Sequence, residues 1–294
     1  MTPDALLNEF VRHLRVERGL SQNTWQTYRY HLTGYLYFLT MRGRTPLSAT
    51  RDDVLSYREH KKNKGVKSAS LFGIAFAIRQ FHRFLVANGH TTADPTAGMR
   101  LPKFKQRLPQ PLSVNDMEKL LTLPTGNKFH HIRNQAMLEL MYATGMRVSE
   151  LVNLKPEQVN MDECMVRITG KGNKERIVPF GQKAKDALIR YIEAKNKRFP
   201  IAQDSLFLNS LGQVLTRGGF WWQLKRMARQ AGITTAVRPH VIRHSAATHL
   251  LSGGADLRIL QEILGHSSIT TTQRYTHVTA ELLKTTCNKS HPRF

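Results

Sequence analysis

The sequence predicts a mainly α-helical protein with a small antiparallel β-sheet, divided into an all-helical N-terminal domain and a mixed α/β C-terminal domain. Apolar residues recur at helical spacing through the first hundred positions. Prolines then interrupt a basic stretch, and farther on two alternating segments flank a glycine-bearing turn. A chain of 294 residues has room for one large domain or two ordinary ones, and it can bury a core without disulfides.

Four helices are predicted in the N-terminal domain, residues 1–94. The first is marked by apolar residues at helical spacing: Leu6, Leu7, Phe10, Val11 and Leu14. Gly19 closes this segment, and Ser21 is the candidate N-cap of the second helix. A third helix follows Thr50, and a fourth covers about 68–88. Together they indicate a small helical domain.

A proline-rich basic stretch separates this domain from the next. Four prolines lie within residues 95–111, where a helix cannot persist, and residues 100–107 carry four cations. We therefore predict a linker over 95–111 that lies near phosphates. Ser113, with Asp116 three positions later, resembles a capping box and opens the C-terminal domain, residues 112–294.

The C-terminal domain is predicted to be mostly helical. One helix ends at Thr144 and Gly145, and another begins near Val148. Residues 165–168 and 176–180 alternate as two strands around the turn that joins them. Further helices are predicted at about 182–197, 218–231, 240–252, 256–264 and 269–276.

The chain is strongly basic, with 44 Lys and Arg residues against 21 Asp and Glu and a formal net charge of +23. The excess is spread over both halves of the chain, so it is not a detachable basic tail. A charge of this size favours a polyanionic partner, because each phosphate that a cation neutralises releases counterions. The alternative is a basic surface without a ligand.

Composition excludes several classes of protein. Hydrophobic residues make up 40 % of the chain, which is too many for a wholly disordered protein. No apolar run approaches the ~18–20 residues of a membrane span, and the N-terminus lacks the basic-then-apolar pattern of a secretory signal. We therefore expect a cytoplasmic protein with no membrane partner. Cys164 and Cys287 lie too far apart for a metal knuckle and are interpreted as reduced thiols.

A cation and two imidazoles are predicted to share one helix face. His240, Arg243 and His244 stand at positions i, i+3 and i+4, and Pro239 helps to begin their helix. Such a face suits a phosphate group. The two histidines also have the spacing of a metalloprotease zinc site, but Val241 stands where that motif needs glutamate. We therefore predict no metal.

Two residues near the C-terminus are further candidates. His266 follows Gly265, which ends a helix, so its side chain is expected to be exposed at a junction. Tyr275 comes nine residues later, between Arg274 and Thr276. On composition alone, such a tyrosine is an ordinary core or rim residue.

Five motifs occur in order along the chain: ATGMRVSEL at 143–151, GKGNKER at 170–176, PHVIRH at 239–244, LGHSS at 264–268 and YTH at 275–277. Together they resemble the tyrosine recombinase (phage integrase) family, and most resemble its Xer branch, which resolves chromosome dimers. Residues 17–24 and the linker also look like Xer proteins, so the resemblance covers nearly the whole chain. It implies an N-terminal core-binding domain followed by a tyrosine-recombinase catalytic domain.

The resemblance also implies roles for individual residues. The family's catalytic positions fall on Arg147, Lys171, His240, Arg243, His266 and Tyr275, and a supporting acidic position falls on Glu150. The two arginines would clamp the phosphate that Tyr275 attacks. Lys171 would be the general acid, although the residues alone do not choose between Lys171 and Lys174. His240 would be the base partner, and His266 a donor to the phosphate.

The implied reaction cleaves and rejoins DNA through a 3′-phosphotyrosyl intermediate, which conserves the bond energy and needs no metal, cofactor or ATP. The implied partners are a double-stranded DNA recombination site, identical or paralogous protomers in a tetramer, and a DNA translocase as activator. Residues 280–284 look like the short helix that family members dock into a neighbouring protomer. The alternative is a frayed tail.

Three other functions are weighed against a dimer-resolving recombinase. A phage or integron-type integrase would use the same chemistry on different DNA. A type IB topoisomerase would reseal one strand with a similar site, but the Xer-like helical N-terminal domain argues against it. A DNA-binding factor without catalysis is disfavoured because no position of the catalytic set is substituted.

Overall fold

The computed structural model describes residues 1–102, 110–123, 126–170, 175–201, 204–265 and 277–294. The chain forms two compact units, Met1–Leu108 and Pro109–Phe294. The predicted fold class is confirmed, because within these ranges the first unit is helical and the second combines helices with one small antiparallel sheet. None of the helices in the described ranges is both long and apolar enough to cross a bilayer.

The four helices predicted for the first unit are confirmed: α1 Pro3–Val16, α2 Gln22–Met41, α3 Arg51–Asn63 and α4 Ser68–Ala87. The apolar stripe predicted for α1 is buried in the core that the helices share. Helix α3 starts at a capping box, in which the Thr50 hydroxyl accepts from the N–H of Asp53 and the Asp53 carboxylate accepts from the N–H of Thr50.

Helices dominate the second unit: α5 Val114–Thr122, α6 Phe129–Thr144, α7 Val148–Val152, α8 Gln182–Arg198, α9 Arg217–Gln230, α10 Pro239–Ser252, α11 Leu257–Leu264 and α12 His277–Ser290. Four of the five later helices predicted from the sequence are confirmed to within one residue at each end. The predicted helix at 269–276 lies outside the described residues, as do residues 103–109 of the predicted linker. The Ser113 hydroxyl accepts from the N–H of Asp116 at 3.0 Å and so caps α5.

The sheet has three antiparallel strands in the order β1 Val159–Asn160, β2 Met165–Thr169 and β3 Glu175–Pro179, and a 3₁₀ turn, Pro156–Gln158, precedes it. The two strands predicted from alternation are confirmed. Strand β1 was not predicted, because two residues are too few to show a period. The β2–β3 ladder ends at the pair Thr169 and Glu175, on either side of the sequence that contains Lys171.

Helix α6 lies at the centre of the second unit and is buried on nearly every side, as expected for a core helix. It ends where the sequence predicts, at Gly145, whose φ of +59° is a left-handed conformation that favours glycine. A Cβ at this glycine would stand 2.8 Å from the Leu264 side chain. The C-terminal ends of α6 and α11 therefore come into contact at Gly145.

The C-terminal helix is longer than the short segment predicted at 280–284. In the single chain, α12 packs against the second unit through Leu283 and Cys287, which are buried in its core. The final residues follow the same surface, and Arg293 forms a buried ion pair with Glu139 at 2.8 Å. The frayed-tail alternative does not describe this packing, and docking into a neighbouring protomer stays a prediction.

A buried hydrogen-bond network joins the tail to the rest of the unit. The Tyr142 hydroxyl bonds Nδ1 of His249 at 2.7 Å, and Nε2 of His249 bonds the carbonyl of Leu112 at 2.9 Å. His291 in the tail bonds the carbonyl of Tyr142 at 3.2 Å. Burial lowers the pKa of His291 to about 4, so its imidazole is neutral near pH 7.

Alanine substitutions at two glycines test whether the tail packs against the second unit as described. Gly253 has an ordinary backbone conformation, but a Cβ there would stand 2.1 Å from the carbonyl oxygen of Ser290 in α12. Gly218, in the first turn of α9, has no such neighbour within 4 Å. We predict that Gly253→Ala lowers the free energy of unfolding by about 1–3 kcal/mol, because it overpacks a backbone contact. Gly218→Ala should be neutral or stabilise by about 0.5 kcal/mol.

The measurement is urea unfolding followed by circular dichroism, with both variants beside the unsubstituted protein. Equal midpoints for Gly253→Ala and Gly218→Ala would mean that the tail does not lie against Gly253 in solution.

Candidate active site

The N-terminus of α7 holds Arg147 in place. Arg147 is the N-cap of this helix, and Oε2 of Glu150 accepts its backbone N–H at 2.7 Å. Nη1 of Arg147 also donates to Oε1 of Glu150 at 2.9 Å. One carboxylate thus fixes both the backbone and the guanidinium of Arg147, whose side chain remains 38 % exposed.

Arg176 is the second partner of Glu150. Its two Nη atoms donate to the two carboxylate oxygens at 3.1 and 2.8 Å, and its Nε donates to the carbonyl of Ile263 at 2.8 Å. Burial by itself raises the pKa of Glu150, but hydrogen bonds from Arg176 and Arg147 and the charge of Arg176 outweigh it and hold that pKa below its usual value. Glu150 is therefore ionised near neutral pH.

The sequence patterns predict no functional role for Arg176, which is the last residue of one motif and the first residue of the second predicted strand. A signal was nevertheless present, because side chains alternate along a strand and Arg176 shares the inward face of β3 with Val178. An arginine at an inward position needs a buried partner, since charged side chains are almost never buried unpaired. That partner, Glu150, is distant in sequence and is identified only by the fold.

Arg243 lies on α10 and reaches the ends of two other helices. Its Nη1 donates to the carbonyl of Gly145 at 2.8 Å, and its Nη2 donates to the carbonyl of Leu264 at 2.6 Å. Burial, followed by the positive charges of Arg147 and Arg176, lowers the pKa of Arg243 to about 10. The guanidinium still carries its charge at neutral pH.

Helix α10 begins at Pro239, as predicted, and carries both histidines of the predicted face. His240 and His244 are exposed, whereas Arg243 between them is half-buried. His240 therefore stands one helical turn before Arg243 with its ring open to solvent. Within the described ranges, no group of three or more His, Cys, Asp or Glu residues is placed to hold a metal ion.

Lys171, His266 and Tyr275 lie outside the described residues, so their assignments stay predictions. The chain just before His266 and the helix that follows Tyr275 are described. Gly265, directly before His266, ends α11 in a left-handed conformation with φ of +65°, and α12 begins two residues after Tyr275. Of the predicted site, the structure brings together the two arginines and their supporting glutamate, and adds Arg176.

The described part of the site carries three guanidiniums and one carboxylate, a formal charge of +2. The positive charges of Arg147 and Arg176 act on Arg243, and one carboxylate does not balance all three cations. A bound anion would reduce this repulsion. Planar guanidiniums match the oxygen atoms of a phosphate with paired hydrogen bonds. The arrangement therefore favours a phosphate ester as ligand, and it can stabilise charge that develops on the phosphate oxygens.

Comparison with known proteins agrees with this chemistry. Residues 110–281 match the phage integrase family, and residues 7–89 match the N-terminal SAM-like domain of phage integrases. The tyrosine recombinase XerD of Halalkalibacterium halodurans is 42 % identical over 291 residues, covering 98 % of this chain and 97 % of that protein.

Solved structures share the fold at lower identity. The XerH recombinase bound to a palindromic difH substrate has a TM-score of 0.71 at 22 % identity, covering 95 % of this chain and 82 % of that one. The Tn1549 transposon integrase in complex with circular intermediate DNA has a TM-score of 0.73 at 20 % identity, covering 96 % and 98 %. The chain therefore belongs to the phage integrase family, as a Xer-type tyrosine recombinase that catalyses site-specific recombination.

Proposed function

We propose that this recombinase cleaves and rejoins double-stranded DNA through a 3′-phosphotyrosyl intermediate, and that its role is to resolve chromosome or plasmid dimers. The observation that carries the chemistry is the joint placement of Arg147 and Arg243 around the ionised Glu150 at the contact between α6 and α11. The proposed role rests on the XerD relatives, which match the chain over nearly its full length.

In the proposed reaction, the two arginines clamp the non-bridging oxygens of the scissile phosphate. Attack on a phosphodiester builds negative charge on these oxygens, and fixed guanidiniums stabilise that charge without reorganising during the step. Arg243 is already oriented by two carbonyls, and Arg147 by Glu150. Lysine could not replace either one well, since an ammonium lacks the planar fork.

Tyr275 is the proposed nucleophile. Its hydroxyl oxygen attacks phosphorus while the bond to the 5′ oxygen breaks, which leaves a 3′-phosphotyrosyl link and a free 5′ hydroxyl. His240 accepts the tyrosine proton, and Lys171 donates a proton to the departing 5′ oxygen. His266 donates a hydrogen bond to the phosphate. The reverse attack by a 5′ hydroxyl from a second duplex completes strand exchange without ATP.

Double-stranded DNA is the proposed partner, and the net charge of +23 supports it. XerH and the Tn1549 integrase are each described in complex with DNA. Strand exchange between two sites engages four protomers, so we propose a tetramer of identical or paralogous subunits, with residues 280–284 as the docking segment and a DNA translocase as activator. Such a substrate implies action in the cytoplasm.

One prediction of the proposed reaction concerns the nucleophile. On a nicked suicide substrate that traps the covalent intermediate, Tyr275→Phe should form no protein–DNA adduct, because it lacks the attacking oxygen. Its DNA affinity should be nearly unchanged, since phosphate contacts dominate binding. Tyr37→Phe, at an exposed tyrosine of the first unit, is the matched control and should form adduct normally. An adduct with Tyr275→Phe, detected by denaturing electrophoresis, would contradict the assignment.

Another prediction concerns the biological role. The DNA that the purified protein protects from nuclease should be a two-fold pseudo-palindrome with a short central spacer, because two protomers related by symmetry bind two half-sites. Selection from random or genomic fragments followed by footprinting gives this sequence. A long asymmetric array of sites would contradict dimer resolution and point to an integrase of phage or integron type.

A further prediction concerns the general acid. Lys171→Ala should be nearly inactive on normal DNA but recover much of its cleavage when sulfur replaces the departing 5′ oxygen, because a thiolate leaves without a proton. Arg243→Ala should recover much less, since it lacks charge stabilisation. Lys174→Ala is the matched comparison, three positions away in the same sequence motif. Rescue of Lys174→Ala in place of Lys171→Ala, in single-turnover cleavage assays, would identify the other lysine as the acid.

A further inference from the structure

Arg176 joins three elements that lead to different parts of the site. It belongs to β3, it holds both oxygens of Glu150 in α7, and it donates to the carbonyl of Ile263 at the end of α11. Only 5 % of Arg176 is exposed. We call Arg176, Glu150 and the Ile263 carbonyl the clasp.

We propose that Arg176 is a positioning residue for strand cleavage, which acts by locking Glu150, and through it Arg147, against the end of α11. This inference rests on the proposed function, because it assigns a role within that reaction. Arg176 does not itself contact the phosphate in this proposal. It keeps Arg147 and Arg243, the arginine clamp, in register with the end of α11.

The first argument is the dependence of Glu150 on two partners. A carboxylate that is 5 % exposed loses most of its hydration, and two arginines compensate for that loss. Without Arg176, only Arg147 would remain as an ionic partner among the described contacts of Glu150. Glu150 would then either take up a proton or draw the guanidinium of Arg147 inward, and either change would move the clamp.

The second argument is the packing of the backbone against Arg176. Gly265 has a left-handed conformation, and a Cβ there would stand 3.0 Å from Cδ and 3.3 Å from Nε of Arg176. The chain thus lies directly on this side chain just before His266. A cation at the carbonyl end of α11 is also favourable to the helix dipole. Arg176 therefore determines where the chain leaves α11.

The third argument is the choice of side chain. The fork of one guanidinium reaches two carboxylate oxygens and a carbonyl at once, at 2.8 to 3.1 Å. A lysine ammonium in the same place keeps the charge but cannot reproduce these three directed bonds. The Arg176→Lys variant therefore separates the geometry of the clasp from its charge.

The test is single-turnover cleavage of a nicked suicide substrate, carrying either a normal phosphodiester or a methylphosphonate at the scissile position. The methylphosphonate lacks one charged non-bridging oxygen, so the clamp contributes less to its cleavage. The variants are Arg176→Met and Arg176→Lys. The matched control is Arg133→Met, at an arginine that is 2 % exposed and donates to Asn134 and Leu208, outside the clasp.

We predict that Arg176→Met lowers the cleavage rate constant on the phosphodiester by about 10²-fold, as expected for a misplaced catalytic group, while the final adduct yield and DNA affinity stay near normal. On the methylphosphonate, its deficit should shrink to a few-fold. Arg176→Lys should show the same pattern with a smaller deficit. Arg133→Met should lose stability, and with it adduct yield, but keep the rate constant of the folded fraction.

Each alternative result has a separate meaning. A lower yield at an unchanged rate constant, as for Arg133→Met, would overturn the proposal and leave Arg176 a structural residue. An equal deficit on both substrates would also overturn it, since the defect would then not act through the clamp. If Arg176→Met does not fold, Arg176→Lys decides by the same two criteria. No adduct with the unsubstituted protein would refute the proposed function itself.

Discussion

A single buried carboxylate, that of Glu150, organises the described half of the site. Burying a charge is costly unless it is paired and hydrogen-bonded, and here two guanidiniums and a backbone N–H supply that compensation. Because the partners come from α7 and β3, and one of them also bonds α11, the same electrostatic requirement holds three elements in register. The Arg147 side chain remains partly exposed to solvent, whereas the Glu150 side chain is buried.

Helix ends supply the second constraint. The last carbonyls of a helix have no partner within it, and those at the ends of α6 and α11 accept hydrogen bonds from arginines. Cations at these ends are also favoured by the helix dipoles. The bonds that satisfy the helix termini therefore orient the guanidiniums as well, so that little reorganisation remains when an anionic ligand arrives.

A second ion pair joins Glu139 and Arg293, and here too an arginine compensates for the burial of a carboxylate. Both of its side chains are largely shielded from solvent, and it anchors the C-terminal tail together with the network through Tyr142 and His291. The Arg293 side chain is 12 % exposed, whereas that of Arg147 is 38 % exposed. One carboxylate thus orders the candidate site, and the other supports the packing of α12 and the tail.

The sequence by itself determined the helices, the two longer strands and the residue types of the site, because these depend on local periodicity, capping residues and ordered motifs. Ser113 and Thr50 each begin a helix through contacts with near neighbours in the chain, and Gly145 ends one by its own left-handed backbone conformation. Only the tertiary structure decided that Arg176 is the partner of Glu150 and that α12 packs on its own unit, since these contacts join positions 26 or more residues apart. Such contacts depend on which buried groups the packed helices and sheet bring together, and no local pattern records that choice.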